Sequence, residues 1–145
     1  MPDAPVLSLE SVNALIPRLS VVVGEQLARR GKIEVKLAAL TTLLGGAPDD
    51  LDPLTSDNVE VARLKAEAKE LIISYRTGWS ELEDMGAVLK DPRTGLVDFY
   101  GHVEGQLVWL CWKYGETEVT HYHGLEDGFT ARKAIAEAAK LRLLN

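Results

Sequence analysis

Between Ser8 and Leu44 the apolar residues Val12, Ile16, Leu19, Val23, Leu27, Ile33, Leu37, Leu40 and Leu44 fall mostly three or four positions apart. That spacing returns side chains to one face of a helix, so it predicts a long amphipathic α-helix. Ser8 stands where an N-cap belongs. Pro17 removes a helical N–H and clashes with the preceding turn, so a kink is expected there. Gly24 and Gly31 each weaken a helix by about 1 kcal/mol relative to alanine, which places a break near Gly31. The stretch GGAPDDLDP, residues 45–53, ends the helix. Val61, Leu64, Ala68, Leu71, Tyr75 and Leu82 repeat the spacing in a second helix, with Thr55, Ser56 and Asp57 as cap candidates. A short connection between two long helices predicts an antiparallel hairpin over residues 8–85.

The pattern changes after Met85. LVDFYGHV and QLVWLCW are rich in β-branched and aromatic residues, and Glu104-Gly105 between them is a hairpin turn signal. EVTHYH reads as a third strand, and a fourth is expected at Val88. This predicts an antiparallel meander of three to four strands over residues 87–123. The alanine- and leucine-rich segment from Phe129 predicts a C-terminal helix over 129–143. The expected fold is α+β within a single domain: the hairpin packed with the meander and the final helix.

Composition narrows the function classes. The chain has 145 residues, a net charge of −6 and one cysteine. The acidic balance and the lack of a concentrated Lys/Arg patch argue against nucleic acid and anionic membrane as partners. No apolar run is long enough to span a bilayer. The start MPDAPVLS has neither the basic nor the apolar region of a signal peptide. A single cysteine forms no internal disulfide, which agrees with a reducing cytoplasm, the expected location.

The motifs LKDPRTGLVDF, LVWLCWKYGE and YHGLEDGFTAR, in this order, resemble domain-of-unknown-function family 2203, and LESVNALIPRL resembles its start. The resemblance covers roughly Ser8 to Arg132. Positions that match the family pattern are Asn13, Pro17, Lys90, Asp91, Gly95, Asp98, Cys111, Trp112, Gly115, Glu116, His123, Gly128, Phe129 and Arg132. Tyr122 stands where the pattern usually has Trp, and His102 and His121 lie outside it. The resemblance implies no activity.

Candidate chemistry concentrates in the second half. Asp98 lies in an otherwise apolar strand and needs a partner if buried. Cys111, beside Trp112, reads as a small core residue, because no cysteine-hydrolase spacing accompanies it. His121 and His123, two apart in a strand, share a face, a geometry that metal sites use with a third ligand from elsewhere, here Glu116, Asp98 or His102. A lone H-x-H pair is weak evidence, so the expectation is no cofactor and no structural zinc. Arg132 is expected at the start of the final helix, where a positive charge is unfavourable unless paired, with Asp98, Glu116 or Asp127 as partner. As a ligand-binding residue it would be joined by Lys90.

Two functions follow. The first is a homo-oligomeric structural or interaction module, expected as a homodimer because long apolar stripes exceed what a small sheet covers. The alternative is a small-molecule or metal-binding protein, an enzyme included, with a polar site on the sheet around His123 and Glu116. It would use acid–base chemistry, with His123 as proton carrier oriented by Glu116 or Asp98.

Overall fold

A computed structural model describes residues 3–136. Its elements are α1 (Leu9–Leu44), α2 (Val59–Gly78), the short α3 (Ser80–Asp84), β1 (Val88–Asp91), β2 (Leu96–Val103), β3 (Gln106–Lys113), β4 (His121–His123) and β5 (Lys133–Ala134). The fold is α+β. By contact density the chain divides into two compact units. One joins the segment up to Gly24 with the segment from Ser80 onward, and the other is Glu25–Trp79.

Helix α1 is unbroken over 36 residues, with Pro17 inside it. Buried apolar residues flank the proline, Val12 and Ile16 before it and Leu19 and Val23 after it. Their packing offsets the local cost of about 3 kcal/mol for an interior proline. Gly31 causes no break either; a Cβ there would meet nothing within 4 Å. The Ser8 hydroxyl accepts the Ser11 N–H at 3.1 Å and so caps the helix as expected.

The second unit is a helical hairpin. Lys36 pairs with Glu67, Arg30 bonds the Tyr75 hydroxyl at 3.1 Å, and Leu40 clusters with Val61 and Leu64. Positions rise along α1 as they fall along α2, so the helices run antiparallel. Gln26 and Arg30 complete the three-four spacing of the α1 seam that the apolar residues alone leave gapped. Gln26 is fully buried, and its amide reaches the Tyr75 carbonyl. The cap of α2 is Asn58, whose side chain accepts the Glu60 N–H at 2.8 Å. Asp57 instead accepts the Leu54 N–H at 2.8 Å and the ammonium of buried Lys65 at 2.9 Å.

The first unit carries one antiparallel sheet in the order β1-β2-β3-β4-β5. Glu104 and Gly105 both adopt positive φ, 52° and 79°, the tight turn that joins β2 to β3. That turn sets the register: Val97 opposite Trp112, Asp98 opposite Cys111, Phe99 opposite Leu110. Alternation then separates two faces. Val97, Phe99, Leu110 and Trp112 take one face and are buried, as are Val12, Ile16, Leu19 and Val23 of α1 in the same unit. Asp98, Tyr100, Trp109, Cys111, His121 and His123 take the other.

The sheet has one strand more than the sequence predicts, and the extra strand corrects the start of the expected C-terminal helix: residues 129–134 are not α-helical, and helical backbone begins at Ile135 and Ala136. Phe129–Ala131 form a single 3-10 turn, and Arg132 is extended with φ −67° and ψ 145°. Lys133–Ala134 pair with β4, and the Ile135 N–H continues that ladder to the Thr120 carbonyl at 2.9 Å. Sheet hydrogen bonding at an open edge overrides the alanine-rich propensity. The part of the expected helix from residue 137 onward lies outside the described residues.

Candidate functional site

Asp98 on β2 and His123 on β4 belong to strands separated by β3. Neighbouring strands lie about 4.8 Å apart, so the two side chains reach toward each other over Cys111 and Trp109. Asp98 Oδ2 and His123 Nε2 meet at 2.8 Å, with both side chains 3% exposed or less. The second ring nitrogen, Nδ1, lies 3.0 Å from the Gly124 carbonyl. A carbonyl only accepts, so Nδ1 carries a hydrogen and donates it. One further proton then sits between Nε2 and Oδ2. The other carboxylate oxygen, Oδ1, has no hydrogen-bond partner in the protein.

Burial raises the Asp98 pKa above its ordinary value, and His123, the Cys111 thiol and Lys90 act against that rise. Cys111 lies beside the pair and is fully buried. Burial first, and then the Asp98 carboxylate, push its thiol up to about 12. Cys111 is therefore a neutral thiol at physiological pH, not an activated nucleophile. Ligand atoms of Asp98, Cys111 and His123 all lie within 4.8 Å of one another.

A second pair flanks the first. Arg132 Nη1 donates to Glu116 Oε1 at 3.3 Å, and Nη2 lies 3.2 Å from Oε2, a two-pronged contact. The side chains are 20% and 27% exposed. Burial lowers the Arg132 pKa, but Glu116 and the nearby Cys111 outweigh burial and raise it overall. Its guanidinium also rests 4.3 Å from the Phe129 ring centre. Glu116 does further work in its turn: Oε1 accepts the Lys113 N–H at 2.8 Å, and its carbonyl accepts the Trp112 indole N–H at 2.9 Å.

The segment from Gly124 to Arg132 runs over this face of the sheet. The Trp109 indole donates to the Leu125 carbonyl at 3.3 Å, and Phe129 meets Lys113 and Arg132. On the same face Tyr100 stacks on Trp109 at 3.9 Å, and Lys90 Nζ lies 3.8 Å from the Trp109 ring centre. Together these groups seal the Asp98–His123 pair from solvent.

The candidate residues thus fall into separate roles. Asp98 and His123 bond directly. Glu116 orients Arg132 rather than His123. Lys90 covers Trp109. His121 shares the face of His123, but its Nδ1 bonds the Thr120 hydroxyl at 2.8 Å, and His102 is exposed. The three-residue cluster of possible metal ligands among the described residues contains neither His121 nor Glu116. Its third member is Cys111, which sequence reasoning set aside as core. The signal was the β2–β3 turn, since a two-residue turn at Glu104-Gly105 already puts Cys111 opposite Asp98.

The model of an uncharacterized conserved protein family, DUF2203, matches residues 6–135, and the chain belongs to that family. No curated protein and no solved structure matches. No described helix is long and apolar enough to cross a membrane.

Proposed function

We propose that the protein is a homo-oligomeric interaction module whose helical hairpin is the association surface. The observation that carries this reading is the half-open seam of the hairpin. Ile33, Leu40, Val61, Leu64 and Ala68 are buried, whereas Leu37 and Leu71 in the same seam are only half-buried. Two helices touch along one line, so water reaches the seam from both sides. A second hairpin laid on the first makes a four-helix bundle and closes it. Ile73 and Val35, 56% and 69% exposed, add apolar surface to the same hairpin. The groove between the helices has Leu71 in its lining and Lys32, Lys36, Glu67 and Glu70 around it. Mixed charges of this kind complement themselves across a two-fold axis.

Acid–base turnover at Asp98 and His123 has less support. Both groups are sealed, and none of the three described clefts is lined by either of them.

The test is sedimentation equilibrium of the full chain at micromolar concentration. A dimer that becomes a monomer in Leu71→Lys, with helicity retained by circular dichroism, supports the reading. A wild-type monomer overturns it.

A further inference from the structure

We propose that Asp98, Cys111 and His123 form a binding site for one divalent metal ion of zinc's class. The inference is independent of self-association, and it departs from the sequence expectation of a chain without a cofactor.

Three observations converge. The first is the donor set: a carboxylate, a thiol and an imidazole whose ligand atoms lie within 4.8 Å of one another. Bonds of about 2.0–2.3 Å from zinc to O, N and S place ligand atoms about 3.3–3.8 Å apart in a tetrahedron. The Asp98–His123 separation of 2.8 Å has to widen by roughly 0.5 Å to match that geometry. One thiolate with one imidazole and one carboxylate suits a borderline-soft ion, and neither magnesium nor calcium.

The second observation is Asp98 Oδ1. It belongs to a side chain 1% exposed and has no regular hydrogen-bond partner in the protein. Besides His123, the carboxyl meets only the Cys111 thiol among the described residues, and a thiol is a weak donor. Buried carboxylate oxygens are normally fully satisfied, so an oxygen without a regular partner beside a thiol and an imidazole marks an incompletely met electrostatic demand. A cation between the three groups meets it.

The third is the outer support of His123. Its Nδ1–H is held by the Gly124 carbonyl, so the atom directed at Asp98 and the cluster is Nε2. Metal-bound histidines are oriented by this kind of second hydrogen bond. The metal takes the place of the proton between Nε2 and Oδ2.

The exchange balances. Before binding, Asp98 and His123 share one proton and Cys111 keeps its own, so the cluster is neutral. A divalent ion coordinated by carboxylate, thiolate and neutral imidazole is neutral too, and two protons leave. Arg132 is paired with Glu116 and also reaches the Cys111 sulfur, where its charge favours the thiolate that the metal needs. A neutral product suits a site in which all three ligands are 3% exposed or less. With three protein ligands, the fourth position belongs to a water molecule or to the second Asp98 oxygen. The ion enters by displacement of the 124–132 segment, which is tied over the site by the Trp109–Leu125 and Arg132–Glu116 contacts.

The experiment titrates the chelator-stripped full chain with Co²⁺, followed by displacement with Zn²⁺. The expected result is one Co²⁺ per chain, with a sulfur-to-cobalt charge-transfer band in the near ultraviolet and visible bands of four-coordinate intensity. Cys111→Ser is expected to lose the charge-transfer band and to bind about tenfold or more weakly, the scale on which perturbed ligand shells lose affinity. His121→Ala is expected to bind like wild type. Wild-type protein that binds no Co²⁺ or Zn²⁺ at micromolar concentration, or binds Co²⁺ with no sulfur band, overturns the proposal. That readout uses the unaltered chain, so a variant that fails to fold does not protect it. Retention of the band in Cys111→Ser, or its loss in His121→Ala, overturns it as well.

Discussion

Asp98 Oδ2 and His123 Nε2 lie 2.8 Å apart across the strand that separates their backbones. This bond ties β2 to β4 over the body of β3. It also holds the one fully buried acid among the described residues. A carboxylate in that position is costly unless its charge is shared, and the imidazole shares it.

Removal of the imidazole therefore strands a buried acid. In metal-free protein, His123→Ala is expected to lower the unfolding free energy by about 3–5 kcal/mol, the scale for breaking a buried pair. Urea denaturation measures the change, read at unchanged m-value. A loss under about 1 kcal/mol means that Asp98 is neutral and content without its partner.

Arg132 and Glu116 are expected to matter less. Their side chains are 20% and 27% exposed, so water screens part of the attraction. The pair still has two contacts, and Arg132 also stacks on Phe129. Arg132→Ala is expected to cost about 1–2 kcal/mol, between an exposed and a buried pair. Addition of molar salt to wild type should remove only part of that difference. A cost above 3 kcal/mol would show that the guanidinium supports the covering segment as a whole.

Much of the architecture was legible because it rests on local periodicity. The three-four spacing located both long helices, and Glu104-Gly105 located the central hairpin with its register. Gly31 misled because its cost is local, whereas the seam on either side of it is buried in tertiary packing. Residues 129–134 misled for a related reason. Their composition favours helix, but the free edge of β4 offers hydrogen bonds that composition does not encode. The site was half legible. Asp98, His123, Glu116 and Arg132 were singled out as polar residues in apolar surroundings. Their division into two pairs depends on β4 lying beside β3, a contact that no spacing within one element reveals. Arg132 pairs with Glu116 as anticipated, but from an extended backbone rather than a helix N-terminus.

Gly101 tests the packing of the sheet directly. A Cβ built there overlaps Leu110 Cδ1 and comes 3.2 Å from the Leu7 carbonyl oxygen. Leu110 is itself buried on the core face, and the Leu7 N–H is bonded to the Tyr100 carbonyl at 2.9 Å. Neither neighbour moves freely. Gly101→Ala is expected to destabilise by about 1–3 kcal/mol, the cost of overpacking, measured by thermal or urea unfolding. Gly31→Ala, which meets nothing within 4 Å in a helix, is expected to stabilise by up to about 1 kcal/mol.

Acid should weaken the hairpin through Asp57. Its carboxylate accepts the Leu54 N–H at 2.8 Å and the Lys65 ammonium at 2.9 Å, and these bonds hold its pKa below the ordinary value, the Leu54 bond first. A carboxyl with a depressed folded pKa binds its proton more readily in the unfolded chain. Its contribution to stability is therefore complete above the unfolded pKa, about 3.9. It is lost as pH falls below that value and through the lower folded pKa. Lys65, 8% exposed on its side chain, then loses the charge that compensates it. Wild-type stability, followed by urea midpoints, is expected to decline over this acid window. Asp57→Asn is expected to be less stable than wild type at neutral pH and to show a shallower acid decline, so the two curves converge. Parallel curves would remove Asp57 as a source of the acid sensitivity.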